Sequence, residues 1–578
     1  MGPLGFALGL EEALSAPACT AAQRNLPWLT WYLDDGTIVG TVDQVSAYLE
    51  AVKPALAAVG LAINASKCLL WGPGAHKMDH AMEPALAAMP ATSAIRQVPV
   101  VPFGISTGIT SLGVPVDVKG DTYVTGRGKW WDAVHRAKEL LAKLRLLPDG
   151  QIRHCLLRHC LDACRVTHLM RSTPWGAGYE AAECLSDELR VAVADLVGCG
   201  ITGMVWDQAC LPISAGGLGI RDPMVTWAEA RIAALVNFDK FATRRVGVPS
   251  DVRAVQALDL PRVLANLLAT LGPNHDPVQR WAEDPTRIAT ADPSTASQLW
   301  WAGQCVKARK ARLLTDGTAR DQVRFASQSG ALATGWLQVL PSHSLGSVIP
   351  DSDFRSLCRW WLGMPLLPEG TTLPPCPLCQ QALDPFGDHF VVCKWNGPVR
   401  RHNALRDEWS RVLTQAHIPW RKEIPTTGGD RPDDLLLVGF SKGRDMSLDI
   451  TIVSPTALGE YPLCPTKARR LLAQAETAKT AKEAESCARM GWCHHPAAYS
   501  TWGGQGPAAS AFMAEVLHRA TADLGGGGRR SSGSWRSVRV CRSPWQSSLR
   551  CSLPYGARCW RPCLNPEHPA VAPGLPAE

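Results

Sequence analysis

Apolar positions along the chain change rhythm several times, and each rhythm predicts a different element. In "TVDQVSAYLEAVKPALAAVG", Val42, Val45, Leu49, Val52, Leu56 and Val59 recur at helical spacing between a Thr cap and Gly60, which predicts a helix. Just before it, Trp31, Tyr32 and Leu33 and then Thr37, Ile38 and Val39 are strand formers, so this stretch predicts a hairpin with Asp34-Asp35-Gly36 at its tip. "MGPLGFALGL" reads as a loop entering a helix, and "LAINASKCLLW", ending near Lys67, and "SLGVPV" read as short strands. Residues 128–170 predict two amphipathic helices split at Pro148-Asp149-Gly150, and helices continue to residue 320 between Pro-rich loops. The Gly-Gly-Leu-Gly turn within 206–223 has no interpretation from binary pattern alone. After residue 400 the rhythm alternates. "RHNALRDEWSRVLTQAHI" predicts a helix, "DDLLLVGF" and "MSLDITIVSP" buried strands, "TKARRLLAQAETAKTAKEAESCARM" a long helix, and 500–520 a Gly-rich loop entering a helix.

Length and composition bound this picture. A chain of 578 residues suits about three or four domains, and 46% hydrophobic content supplies their cores. No apolar run approaches the ~20 residues that span a bilayer, and no signal-peptide pattern opens the chain. The 20 cysteines are scattered singly apart from one tight cluster, which fits a reducing compartment, so the expectation is a soluble intracellular protein. The net charge of +7 is concentrated in the tail, where residues 525–578 carry eight arginines against two glutamates. That Gly/Ser/Arg-rich tail lacks periodicity and reads as disordered. With the remainder near neutral, a nucleic-acid groove must come from local clustering.

Three places carry chemistry. Cys376, Cys379, His389 and Cys393 form C-x2-C-x9-H-x3-C, whose three thiolates and one imidazole can close a tetrahedron around Zn2+. Four protein ligands leave no open position, so the site is structural, and His402 is an alternative ligand. In the alternating region, Asp433 begins one strand behind Arg431 and Pro432, Asp449 sits in the next, and Glu423 lies upstream. Carboxylates on neighbouring strands can share a divalent ion such as Mg2+ or Mn2+, which lowers the pKa of bound water, and a nearby lysine would stabilise charge on the phosphorane. The third place is Asp34-Asp35: either an ordinary Asp-Gly turn or a pair of carboxylates for a divalent ion.

The order of elements around "YLDD" resembles the palm of a reverse transcriptase. "PLG" looks like its motif B, "YLDD" its metal-binding motif C, "GLAINASKC" motif D and "LGVPV" the start of the primer grip. The zinc cluster, "RHN", "RPD", "LDIT" and a Lys-bearing helix resemble the C-terminal half of non-LTR retrotransposons carrying a restriction-like, PD-(D/E)xK endonuclease. The resemblance implies a multidomain α+β chain. Its parts would be a partial palm (1–120), a thumb-like helical region (121–225), a helical linker (226–370), a zinc knuckle (371–400), an α/β restriction-like nuclease (401–523) and a basic tail (524–578).

The resemblance also assigns roles. Asp34 and Asp35 would hold Mg2+, and Lys67 would lie near the incoming nucleotide's phosphates. Arg153, Arg158 and Arg165 would track nucleic acid together with Arg431, and Asp433 and Asp449 would hold the nicking metal with Glu423 assisting. Thr451 stands where D-x-K would place its lysine, so Lys479 or Lys482 on the following helix are candidates, with Lys467 behind them. Only 33 residues precede Asp34, and the first palm strand with its aspartate is missing from them, which implies a truncated open reading frame whose polymerase is inactive alone. The implied partners are template RNA and target DNA, acting in the nucleus because chromosomal DNA is the target. A zinc-dependent nucleic-acid-binding remnant without catalytic activity is the alternative.

Overall fold

The computed structural model describes residues 3–522 apart from 33, 73–83, 102–107, 118–123, 202, 242–258, 329–332, 344–346, 367–374, 394, 396–397, 424–433 and 457–464. The chain is mixed α+β and mostly helical. Among the described residues, no helix is long and apolar enough to cross a membrane.

At the N-terminal end, β1 (Trp28–Tyr32) and β2 (Asp35–Val39) form the expected hairpin, but its turn is displaced. Tyr32 pairs with Asp35 and Trp31 with Gly36, so Asp35 and Gly36 already belong to β2 and not to the tip. Gly36 is demanded by packing, because a Cβ there would lie 2.9 Å from the Trp31 ring. The helix Val42–Ala58 starts with a full capping box between Thr41 and Gln44, and Trp31 donates to the Tyr48 hydroxyl at 3.1 Å, pinning the hairpin to it. The strand expected up to Lys67 is instead a 3-10 turn, Ala65–Lys67. Its local polar side chains satisfy each other, Ser66 donating to Asn64 Oδ1 at 2.7 Å, which favours a turn over a ladder. "LGVPV" falls in a second hairpin of β3 (Gly108–Ser111) and β4 (Val114–Asp117), turned tightly by Leu112 and Gly113, both at positive φ.

The helix Val124–Arg145 packs along the helix Trp175–Val197. Trp130 lies tightly over Gly178, where a Cβ would come within 2.2 Å of the indole, and Trp130 stacks on Trp227 at 4.8 Å. The second thumb-like helix expected over 150–170 breaks up. It becomes the helix Gly150–Leu156, a π turn, a 3-10 turn and the helix Thr167–Ser172. Buried Asp162 imposes the break, accepting the backbone N–H of Cys164 at 3.0 Å and the Arg221 guanidinium at 2.8 Å. The Gly-Gly-Leu-Gly turn is a packing device: a Cβ on Gly217 would lie 2.0 Å from the Leu211 carbonyl, and Gly219, at positive φ, abuts the Arg158 stem. Residues 333–366, expected in a separate linker, share one apolar core with 130–230.

Within the helical region, the helices Pro223–Phe241 and Gln298–Asp316 face each other across buried Glu229 and Cys305. Burial pushes the Glu229 carboxyl up to about 7, only partly opposed by the Cys305 thiol and Arg309. The folded state therefore keeps a proton that the unfolded chain releases above its ordinary carboxyl value. Stability contributed here is present at low pH and falls as pH rises through that range to about 7. Glu229→Gln is expected to flatten the dependence of melting temperature on pH between 5 and 8 and to melt higher than the parent at the alkaline end.

The C-terminal unit runs helix Pro398–Gln415, β5 (Trp420–Lys422), β6 (Leu435–Ser441), β7 (Arg444–Val453), helix Pro465–Arg489, β8 (Cys493–Ser500) and helix Pro507–Ala522. The sheet order is β5-β6-β7-β8, antiparallel except for the parallel β7–β8 pair, which the Pro465–Arg489 helix connects. Strand alternation sorts the two faces. Leu448, Ile450, Ala497 and Tyr499 pack with Leu405, Trp409 and Phe512 of the two flanking helices. Ser447, Asp449 and His494 fall on the opposite set of positions, the face that carries Lys479 of the connecting helix. Trp360 stacks flat on Trp502 at 3.6 Å and joins this unit to the helical region.

Candidate metal centre and acidic site

The Cys/His cluster is built by two short pieces of chain. Cys376 and Cys379 lie in a turn closed by the Gln380 N–H on the Cys376 carbonyl and the Cys376 N–H on the Gln381 carbonyl, each 2.8 Å, with Gln380 at positive φ. His389 and Cys393 come from the short helix Asp388–Val392 and its end. The Asp384 carboxylate fixes that helix start by accepting the N–H groups of Phe386 (2.9 Å), Asp388 (3.0 Å) and His389 (2.6 Å). One ligand atom from each of the four residues lies within 4.8 Å of all the others, with Cys376 Sγ 4.0 Å from Cys393 Sγ and Cys379 Sγ 3.3 Å from His389 Nε2. Burial alone would push the Cys376 thiol up, but the backbone N–H groups of Leu378 and Cys379, with His389, bring it down to about 7. A soft, closed set of three sulfurs and one nitrogen at these separations fits tetrahedral Zn2+. Arg320 clamps the knuckle to the rest of the chain through its ion pair with Asp388 and its stack over Phe386 at 4.1 Å. His402 lies elsewhere: its Nε2 sits 3.1 Å from Asp434 Oδ2 and 3.0 Å from the Ile450 carbonyl, and the Asp434 carboxylate raises its pKa.

The second cluster centres on Asp449. Its carboxylate is buried on β7, and Lys479 donates to Oδ1 at 2.8 Å. His494 of β8 approaches Oδ2 to 3.7 Å. Burial pushes the Asp449 carboxyl up, yet His494 and Lys479 beside it outweigh this and hold it below the ordinary carboxylate value. Lys482, one turn further, is 75% exposed and pairs with Glu483, so the two candidate lysines separate clearly. Glu423 forms an ion pair with Arg406, and Lys467 is exposed. Asp433 and Arg431 lie outside the described residues. Sequence reasoning missed two residues. Asp434 accepts the Ile450 N–H at 2.7 Å as well as His402, and the doubled acid of "RPDD" was its available signal. His494 had none, because only the parallel register brings it to Asp449.

The remaining predicted residues do not converge. Asp34 and Asp35 are exposed at the β1–β2 turn, and among the described residues the Cys/His cluster is the one group of three or more metal-ligating side chains. Lys67 is exposed at the end of its 3-10 turn. The basic side expected on the thumb-like helices is largely turned inward. Arg153 is buried against Asp351 at 3.4 Å, and Arg158 is half-buried and donates to the Leu337 carbonyl. Burial lowers the neighbouring His154 to about 4, while Arg165 alone of the three arginines is exposed. The physical reason is that these side chains bond to distant parts of the chain, the Asp351 carboxylate and the Leu337 and Leu218 carbonyls, instead of facing solvent. The Gly-rich loop at 500–506 likewise offers no free helix start, since buried Glu476 accepts the N–H groups of Ala508 and Ala509 at 3.0 Å.

Comparison with known proteins leaves the family open: no family model matches the chain, and no curated protein matches it.

Proposed function

We propose that the C-terminal unit is a metal-dependent, DNA-nicking endonuclease of the restriction-like kind, carried on a retrotransposon-type polypeptide whose zinc knuckle stands directly before it. The observation that carries this reading is the Asp449–Lys479 contact at 2.8 Å, a carboxylate in mid-sheet met by a lysine from the connecting helix. The element order supports it: helix, three antiparallel strands, helix, then a strand parallel to the third. Asp449 and Asp433 would hold Mg2+ or Mn2+, which supplies a water of lowered pKa when bound. Lys479, 2.8 Å from the Asp449 carboxylate, is placed to stabilise negative charge developing on a phosphate oxygen at the same site. The zinc knuckle would hold the preceding segment rigid and contribute no reacting group.

The N-terminal hairpin is a fragment of a reverse transcriptase palm in this reading. No polymerase activity is proposed for it, because Asp34 and Asp35 gather no third acid among the described residues. Nucleus and chromosomal DNA follow as the setting of a nicking enzyme that primes reverse transcription of template RNA. Supercoiled plasmid incubated with the full chain tests the reading: open circles should accumulate with Mg2+ or Mn2+ and not with EDTA. Salt-sensitive DNA binding without any nicking would favour a zinc-dependent binding remnant instead.

A further inference from the structure

Both ring nitrogens of His494 are buried without a hydrogen-bond partner, and so is Oδ2 of Asp449. The His494 side chain is only 3% exposed and that of Asp449 8%. Leaving three polar atoms unpaired in one place costs free energy that a folded chain rarely carries without use. The two residues are brought together by the sheet: Ser447 pairs with His494 and Asp449 with Pro496, so Asp449 and His494 lie on one face of neighbouring parallel strands. Their facing atoms, Nε2 and Oδ2, are 3.7 Å apart, too far for a hydrogen bond. Two ligand bonds of about 2.1 Å each reach across such a gap with an angle of roughly 120° at the ion. Lys479 occupies the other carboxylate oxygen and leaves Oδ2 available.

We infer that His494 and Asp449 Oδ2 jointly ligate the divalent ion of this centre, and that the imidazole makes it take Mn2+ in preference to Mg2+. A nitrogen ligand favours first-row transition ions over magnesium, which prefers oxygen alone. This inference rests on the nuclease reading for the ion's purpose, but its own test is spectroscopic. The full chain, with its knuckle already zinc-loaded, is titrated with Mn2+ and examined by electron spin echo envelope modulation. The wild type should show 14N modulation from a bound imidazole. His494→Gln should lose that modulation and bind Mn2+ at least about tenfold more weakly, while circular dichroism still reports a folded chain. Asp449→Asn should lose it too, which guards against a misfolded single variant.

Mn2+ that binds the wild type without 14N modulation, or with an affinity indifferent to His494→Gln, overturns the inference, while plasmid nicking would still uphold the nuclease reading. Imidazole-bound Mn2+ with no nicking under any ion would do the reverse. Failure of the wild type to bind Mn2+ at all overturns the inference outright.

Discussion

Replacing Lys479 with alanine is expected to slow metal-dependent plasmid nicking by about 100-fold or more, the scale typical of removing a preorganised charge from a developing oxyanion. Lys482→Ala should leave the rate within about twofold, since a solvent-exposed lysine contributes little to a buried site. The two lysines are neighbours in sequence on an alanine-rich helix, and composition does not separate them. Geometry does: one Nζ rests 2.8 Å from Asp449, and the other is paired with Glu483 in solvent. Single-turnover nicking of supercoiled plasmid at saturating protein checks the contrast. Equal losses from both variants would mean that the helix contributes only general positive charge.

The largest structural effect should come from the knuckle. Structural zinc in small Cys/His sites contributes on the order of 10–16 kcal/mol to local folding. Cys393→Ser is therefore expected to abolish stoichiometric zinc and to deprotect the amides of 375–393 in hydrogen exchange. The sheet unit behind it should keep its protection, because its core of Trp409, Leu448 and Phe512 draws nothing from the knuckle. Atomic emission should read one zinc per wild-type chain, and a chelator should release it with the same local signature. The Arg320–Asp388 pair, seated between helix Ala319–Ser327 and the knuckle, makes the adjoining helix the next segment to loosen.

How much of this was legible in the sequence depends on how local each feature is. The Val42–Ala58 helix was readable because its cap and apolar stripe lie within one element. The Cys/His cluster was readable because spacing along the chain alone constrains its closure. The β6 and β7 strands were likewise visible as apolar runs, and Asp449 stood out as a charge within one of them. What failed was non-local. Arg153 and Arg158 were expected to track nucleic acid, but partners some 60 to 200 positions away, Leu337 and Asp351, with Leu218 for the neighbouring His154, draw these side chains inward. The Gly-Gly-Leu-Gly turn was opaque because its requirement comes from the Leu211 carbonyl and the Arg158 stem, contacts that binary pattern does not encode. His494 was invisible for the same reason, since parallel pairing across a long helical connection sets its register. The displaced β1–β2 turn was a smaller error, in a hairpin whose Asp-Gly signal suggested the wrong tip.

The account turns on Asp449 as a carboxylate that serves phosphodiester cleavage. Its most direct test is the single-turnover nicking rate of wild type and Asp449→Asn, run side by side in Mg2+ and in Mn2+ with melting temperatures matched. The account predicts open-circle formation by the wild type in at least one of the ions and a loss of about a thousandfold or more in the variant. Equal rates for the two proteins, or none from a zinc-loaded, correctly folded wild type in either ion, would contradict it.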